Sequence, residues 1–179
     1  MECWTLIYLG LGTNLGAREE NIAEVVSRIS SIDGLVLNRV SRIYETSPVE
    51  ARGQDYYNAV AMAQTTLSPA ELLTAAKKIE KSMGRIGSSE RGEPRIIDID
   101  ILLYGEEVIE SPELTLPHPG MKKRLFVLVP MADLTPELVI PGETMTVDEL
   151  AKEVSSTHGE QRIKNLGSFN KITGLQIMT

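Results

Sequence analysis

Gly92-Glu93-Pro94-Arg95-Ile96-Ile97-Asp98-Ile99-Asp100-Ile101-Leu102-Leu103-Tyr104-Gly105 is the stretch whose reading decides the fold. From Ile97 it alternates with the period of a strand: Ile97, Ile99, Ile101 and Leu103 point one way, and Asp98, Asp100, Leu102 and Tyr104 the other. The first face belongs on a core. The second carries two carboxylates, set about 6–7 Å apart along the strand by a rise of roughly 3.3 Å per residue. Left alone they repel each other. A hard cation, or a pair of cations about 4 Å apart, would satisfy them. Arg85, Arg91 and Arg95 stand just upstream. Carboxylates that hold Mg²⁺ beside arginines that hold phosphate oxygens are what phosphoryl transfer requires. The plainer alternative is an edge strand whose aspartates ward off pairing with another chain, the arginines being their ion-pair partners.

Upstream lies the helix with the best-marked ends. Ser68 is its N-cap, Pro69 takes N1, and Glu71 at N3 completes a capping box. Leu72, Ala76, Ile79 and Met83 form the buried stripe, and Gly84 ends the helix as its C′ residue. Glu80 falls in the last turn, where a carboxylate opposes the helix dipole. An acid in that position points to a partner; a solvated side chain is the plainer reading. Two polar, Gly-containing segments, Glu45 to Asp55 and Arg85 to Pro94, read as loops of the kind that form lids.

Toward the N-terminus, the apolar run Trp4 to Leu11 reads as a strand breaking into a Gly-rich loop, Gly10-Leu11-Gly12-Thr13-Asn14-Leu15-Gly16. The loop lacks the Gly-Lys-Ser/Thr ending of a phosphate loop. A tight turn where backbone approaches something closely fits it better. Ile22, Val25, Val26 and Ile29 then make one helical stripe. Asp33-Gly34 is a turn, Leu35 to Tyr44 an imperfectly alternating strand, and Tyr56 to Thr65 a second, with Tyr56, Asn58, Val60 and Met62 sharing a face.

Downstream, Glu106 to Ile109 reads as a brief hairpin return. Leu114 to Arg124 is basic and punctuated by Pro117 and Pro119, with His118 held extended between them. His118 suits a hydrogen bond or a phosphate contact, or is a plain loop residue. Leu125 to Leu134 is apolar around Pro130, and period alone does not separate helix from strand there. Thr146 and Glu149 form another capping box, starting a helix that runs to about Val154. Little of the site is expected beyond Ser155.

The order strand, helix, strand, strand, helix, strand is the split βαβ pattern. The expected fold is therefore α+β: a ferredoxin-like core whose mainly antiparallel sheet has helices packed on it, with the opposite face open to substrate. The chain of 179 residues suits one domain, 1–179, with an ordinary hydrophobic fraction of 42%. A net charge of −7 argues against a general nucleic-acid binder. Cys3 is the only cysteine, which excludes an internal disulfide and a cysteine metal cluster. The first residues lack the positive flank of a signal peptide, and no apolar run approaches the roughly 18 residues of a membrane span. A soluble cytoplasmic protein is expected.

These residues together resemble the 6-hydroxymethyl-7,8-dihydropterin pyrophosphokinase family of the folate pathway. The segments that carry the resemblance are Leu9 to Gly16, Tyr44 to Val49, Asp55 to Ala59, Gly84-Arg85 through Gly105, Leu116 to Pro119 and Met121 to Phe126. The likeness covers about 7–140, in order, and leaves 155–179 as a C-terminal extension with no assigned role. The resemblance implies transfer of the β,γ-pyrophosphoryl group of ATP to the pterin hydroxymethyl, with release of AMP. It implies Asp98 and Asp100 as ligands of two Mg²⁺, and Arg85 and Arg95 as catalytic phosphate contacts. It implies Leu73, Glu80, Arg91, Ile101, His118 and Arg124 around ATP. For the pterin it implies stacking by Tyr56 and Phe126, an amide anchor at Asn58, and a lining of Thr46, Ser47, Pro48 and Val49. The partners implied are small molecules, with no nucleic acid or membrane; a monomer is expected, with a dimer left open.

The chain departs from the family at Gly87, where well-known members carry an arginine, and at Gly92, where some carry a tryptophan; both suggest a weaker or differently built clamp on ATP. Two other readings compete. A two-carboxylate glycosidase is disfavoured because residues two apart on one strand lie side by side rather than flanking a bond. An RNA-binding ferredoxin-like module is opposed by the acidic balance and the scarcity of aromatics.

Overall fold

The computed structural model describes residues 3–47, 54–84, 93–157 and 162–174. Pro48, Val49, Arg85, Arg91, Gly87 and Gly92 lie outside them.

In chain order the elements are β1 (Thr5–Thr13), α1 (Arg18–Ser30), β2 (Leu35–Val40), β3 (Arg42–Thr46), β4 (Tyr56–Thr65), α2 (Pro69–Ser82), β5 (Asp98–Tyr104), β6 (Ile109–Glu110), β7 (Thr115–Leu116), a 3-10 turn at Met121–Lys123, α3 (Leu125–Leu134), α4 (Val147–Thr157), β8 (Ile163–Ser168) and α5 (Phe169–Thr173). The main sheet runs β5-β1-β4-β3-β8, with β2 also on β4, and every pairing in it is antiparallel. This is the split βαβ arrangement: β4 is inserted between β1 and the β2–β3 edge.

The caps act as their sequences require. Glu71 N–H donates to Ser68 Oγ while Glu71 Oε2 accepts from Ser68 N–H at 2.8 Å. Thr146 and Glu149 do the same for α4. One core cluster joins Ile7, Leu9 and Leu11 of β1 to Ile22, Val25, Val26 and Ile29 of α1 and Leu72, Ala76 and Ile79 of α2. Each Ile, Leu or Val among them is worth roughly 1.5–3 kcal/mol of burial, so this face holds the sheet to its two long helices.

Several expectations are corrected. The second sheet face is not fully open: Tyr8, Val60, Leu102 and Leu103 lie under α3 and α4 in a second cluster. Leu125 to Leu134, which its period left open between helix and strand, is a helix that accommodates Pro130. Leu103 joins this second cluster and Tyr104 the first, the reverse of simple alternation. The cause is a bulge: the register with β1 slips between Tyr8 and Leu9, leaving Leu102 as the extra residue. The single strand expected from Leu35 to Tyr44 is broken at Ser41, whose Oγ accepts the Val60 N–H at 2.9 Å in place of a backbone carbonyl. The hairpin after Tyr104 pairs β6 with β7 rather than returning to β5. The C-terminal segment is part of the sheet, through β8, and Phe169 of α5 is 2% exposed in the first cluster.

Candidate active site

β1 does not break at its glycines. It continues to Thr13, and Gly10 and Gly12 are strand residues opposite Asp100 and Asp98 on one side and Val60 and Asn58 on the other. They form a floor without side chains. A Cβ at Gly12 would come within 3.3 Å of Asn58 Oδ1 and 3.8 Å of Tyr56 Cδ1. This end of the second face lies outside the cluster under α3 and α4, and it gathers Asp98, Asp100, Tyr56 and Asn58 around bare backbone.

The carboxylates stand on the edge strand β5. Arg95 Nη1 donates to Asp98 Oδ2 at 2.9 Å. Arg95 is itself fixed by Asn14, which is 1% exposed: Asn14 Oδ1 accepts the Arg95 N–H at 2.7 Å, and the Asn14 N–H donates to the Arg95 carbonyl at 3.1 Å. Burial first, and then the Asp98 charge, push the Asp100 carboxyl above its usual range, while His118, Arg124 and Arg95 pull it back. His118 Nε2 lies 3.8 Å from Asp100 Oδ1. Its Nδ1 accepts the Gly120 N–H at 3.2 Å, so in the neutral ring the proton is on Nε2, facing the carboxylate. The loop is tied to the strand by the His118 N–H, which donates to the Leu102 carbonyl at 3.0 Å.

Arg124 precedes α3 with its guanidinium 5.6 Å from the Phe126 ring centroid. Gly120 leaves room for it: a Cβ there would fall 2.6 Å from Arg124 Cζ. Asn58 Nδ2 donates to Thr46 Oγ1 at 2.8 Å, both residues being buried. Burial raises the Tyr56 hydroxyl pKa, against the nearby Arg95 charge. Ser47 follows β3 directly. Leu73, Ile99, Asp100, Ile101 and His118 line a cleft of about 260 Å³ along the outer edge of β5, so it adjoins the carboxylate pair.

Glu80 is not solvated. It is 5% exposed, and its Oε1 accepts the Ile99 N–H at 2.8 Å. The structure thus brings Arg95, Asp98, Asp100, His118, Tyr56, Asn58 and Thr46 to one end of the sheet, with Leu73 and Ile101 beside them. Asn14 and Gly12 have roles here that the sequence reading did not assign. The available signal was their place in a glycine-spaced segment directly after an apolar strand. Among the described residues no group of three or more His, Cys, Asp or Glu side chains converges as a metal cage. The donors at hand are the two hard carboxylates.

Residues 8–136 match the model of the family described as 7,8-dihydro-6-hydroxymethylpterin-pyrophosphokinase (HPPK). The chain is 39% identical over 147 residues to the Haemophilus influenzae 2-amino-4-hydroxy-6-hydroxymethyldihydropteridine pyrophosphokinase, covering 82% of this chain and 91% of that protein. It is 39% identical over 166 residues to the Schizosaccharomyces pombe folic acid synthesis protein fol1, covering 92% of this chain but only 22% of the yeast protein. The chain thus spans about a fifth of the length of that relative. Among solved structures, wild-type Plasmodium falciparum HPPK-DHPS with pterin and p-hydroxybenzoate superposes with a TM-score of 0.72 at 18% identity, over 89% of this chain and 45% of that one, a likeness of fold. With more than half its length matched to the family, and a relative of similar size well above 30% identity, the chain belongs to the 7,8-dihydro-6-hydroxymethylpterin-pyrophosphokinase (HPPK) family.

Proposed function

We propose that this chain transfers the β,γ-pyrophosphoryl group of ATP to 6-hydroxymethyl-7,8-dihydropterin, giving AMP and the pterin diphosphate for folate synthesis. The observation that carries the reading is the Asp98/Asp100 pair, which opens on the same uncovered end of the sheet as Tyr56 and Asn58. Nucleotide and pterin would meet there.

In this reading Asp98 and Asp100 hold two Mg²⁺. The donor set fits: two oxygen-bearing side chains, one of them kept above its usual pKa by burial and by its neighbour, gain from a hard cation. When bound, the ions neutralise triphosphate charge and lower the pKa of the attacking hydroxyl. The remaining steps belong to the chain's own groups. Tyr56 and Phe126 stack on the pterin, Asn58 reads its hydrogen-bonding edge with both donor and acceptor, and Thr46 to Val49 line it. Leu73 and Ile101 would wall the base site; His118, Arg124 and Arg91 would contact ATP, and Glu80 would act from beneath it by holding the Ile99 amide. The hydroxymethyl oxygen attacks the β-phosphorus in line, its bond forms as the bond to the AMP oxygen breaks, and the hydroxyl proton leaves to water. Arg95 and Arg85 stabilise the charge spread over the transferring oxygens. The full span 1–179 acts as one catalytic domain, a monomer working on small molecules in the cytoplasm. Among the described residues no helix is long and apolar enough to cross a membrane.

The test is to incubate the chain with ATP, Mg²⁺ and the reduced pterin alcohol. Stoichiometric AMP and pterin diphosphate, abolished by EDTA, are expected. ADP as the product, or turnover indifferent to the pterin, would overturn the reading.

A further inference from the structure

The last strand of the sheet lies beyond the family-matched residues 8–136, yet it starts on the substrate side, with Ile163 opposite Thr46. β8 runs antiparallel to β3, with Glu45 opposite Lys164 and Thr46 opposite Ile163. The pairing continues one step past both strands, where the Ser47 N–H donates to the Arg162 carbonyl at 3.2 Å. The same residue then reaches sideways: Arg162 Nη2 donates to Asp55 Oδ2 at 2.5 Å.

That contact lies just past the end of a ladder. The ladder between β3 and β4 pairs Tyr44 with Asn58, Glu45 with Tyr57 and Thr46 with Tyr56, and it stops there. Beyond it stand Ser47 and Asp55, and Arg162 grips one through its backbone and the other through its side chain. Arg18 makes a second tie nearby: its Nη1 donates to Glu45 Oε1 at 3.2 Å and to the Asp55 carbonyl at 2.6 Å, and its guanidinium lies 3.9 Å over the Tyr57 ring. Asp55 immediately precedes Tyr56. Ser47 immediately follows Thr46, whose hydroxyl receives the Asn58 amide.

We propose that Arg162 is a positioning residue for the pterin, and that the C-terminal strand serves to set the ends of β3 and β4 where Thr46, Tyr56 and Asn58 meet the ring. The inference rests on the reading above, in which those three residues take the pterin. Arg162 is 71% exposed, so its ion pair contributes little to global stability. Its effect should therefore appear in substrate binding and spare the fold.

The experiment uses the full chain and measures kcat, the KM for pterin, the KM for ATP and the unfolding midpoint. It compares wild type, Arg162→Asp, and the charge swap Arg162→Asp with Asp55→Arg. The pterin KM is expected to rise about fivefold in Arg162→Asp, the size of one exposed ion pair lost. The ATP KM stays put, the unfolding midpoint falls no further than one exposed ion pair allows, and the swap recovers most of the pterin KM. An unchanged pterin KM, an equal rise in both KM values, or a swap that restores nothing overturns the positioning role. A wild-type chain that neither binds nor turns over the pterin overturns the underlying reading, and this inference falls with it.

Discussion

Glu80 Oε1 accepts the backbone N–H of Ile99 at 2.8 Å, from a side chain that is 5% exposed. Ile99 sits between the two aspartates on a strand whose outer edge has no sheet neighbour among the described residues. The carboxylate stands in for that neighbour, which explains an acid at the unfavourable end of α2. Truncating it leaves a buried amide without its acceptor. Glu80→Ala should lose about 2–3 kcal/mol in urea unfolding, and Glu80→Gln, which keeps the acceptor, less than half of that. Equal losses would show that the hydrogen bond to Ile99 is not what matters.

Asp100 gives the opposite balance. Burial and the Asp98 charge raise its carboxyl above the usual range, so the folded chain holds that proton more firmly than the unfolded chain does. A raised carboxyl costs stability as pH climbs from the unfolded value through the raised folded one. Asp100→Asn should raise the unfolding midpoint in EDTA at neutral pH and remove any rise on adding Mg²⁺. Turnover should fall about a thousandfold or more. A lower midpoint in EDTA would contradict this electrostatic account.

Asn14 fixes Arg95 through two hydrogen bonds, of 2.7 and 3.1 Å, and Arg95 in turn meets Asp98 at 2.9 Å. Asn14→Ala strands the Arg95 N–H and should cost about 1–3 kcal/mol. It should also lower kcat by a larger factor than it raises either KM, because the displaced group acts on charge in the transition state. A change confined to stability would remove Asn14 from the catalytic account.

Gly12 keeps the floor between Asp98 and Asn58 bare. A methyl there would stand 3.3 Å from Asn58 Oδ1, closer than side chains ordinarily tolerate. Gly12→Ala should raise the pterin KM about tenfold, the effect of roughly 1.4 kcal/mol, and leave the ATP KM unchanged. Steady-state kinetics with each substrate varied in turn decides it.

The parts of the fold that were legible in the sequence are those set by near neighbours. The capping boxes at Ser68 and Thr146 each need only four residues, and the stripe Ile22, Val25, Val26, Ile29 needs two turns; all appear as read. The aspartate pair on one face of β5 also follows from local alternation. What escaped depends on partners far along the chain. The bulge that turns Leu103 and Tyr104 over is a mismatch with Tyr8 and Leu9 of β1. Gly10 and Gly12 carry the composition of a loop, but sheet neighbours on both sides keep them extended. Glu80 is buried because an edge amide waits for it. β8, with the exposed Lys164 and Asn165 at its centre, shows no alternation that would reveal a strand; only the free edge of β3 makes it one.

The most direct measurement of the central claim is a crystal structure of the full chain with a non-hydrolysable ATP analogue, Mg²⁺ and the pterin. The account predicts cations bridging Asp98 and Asp100 to the triphosphate, with the pterin stacked between Tyr56 and Phe126 and held by Asn58. Aspartates turned to bulk water and bare of metal, with nucleotide or pterin bound elsewhere, would contradict it.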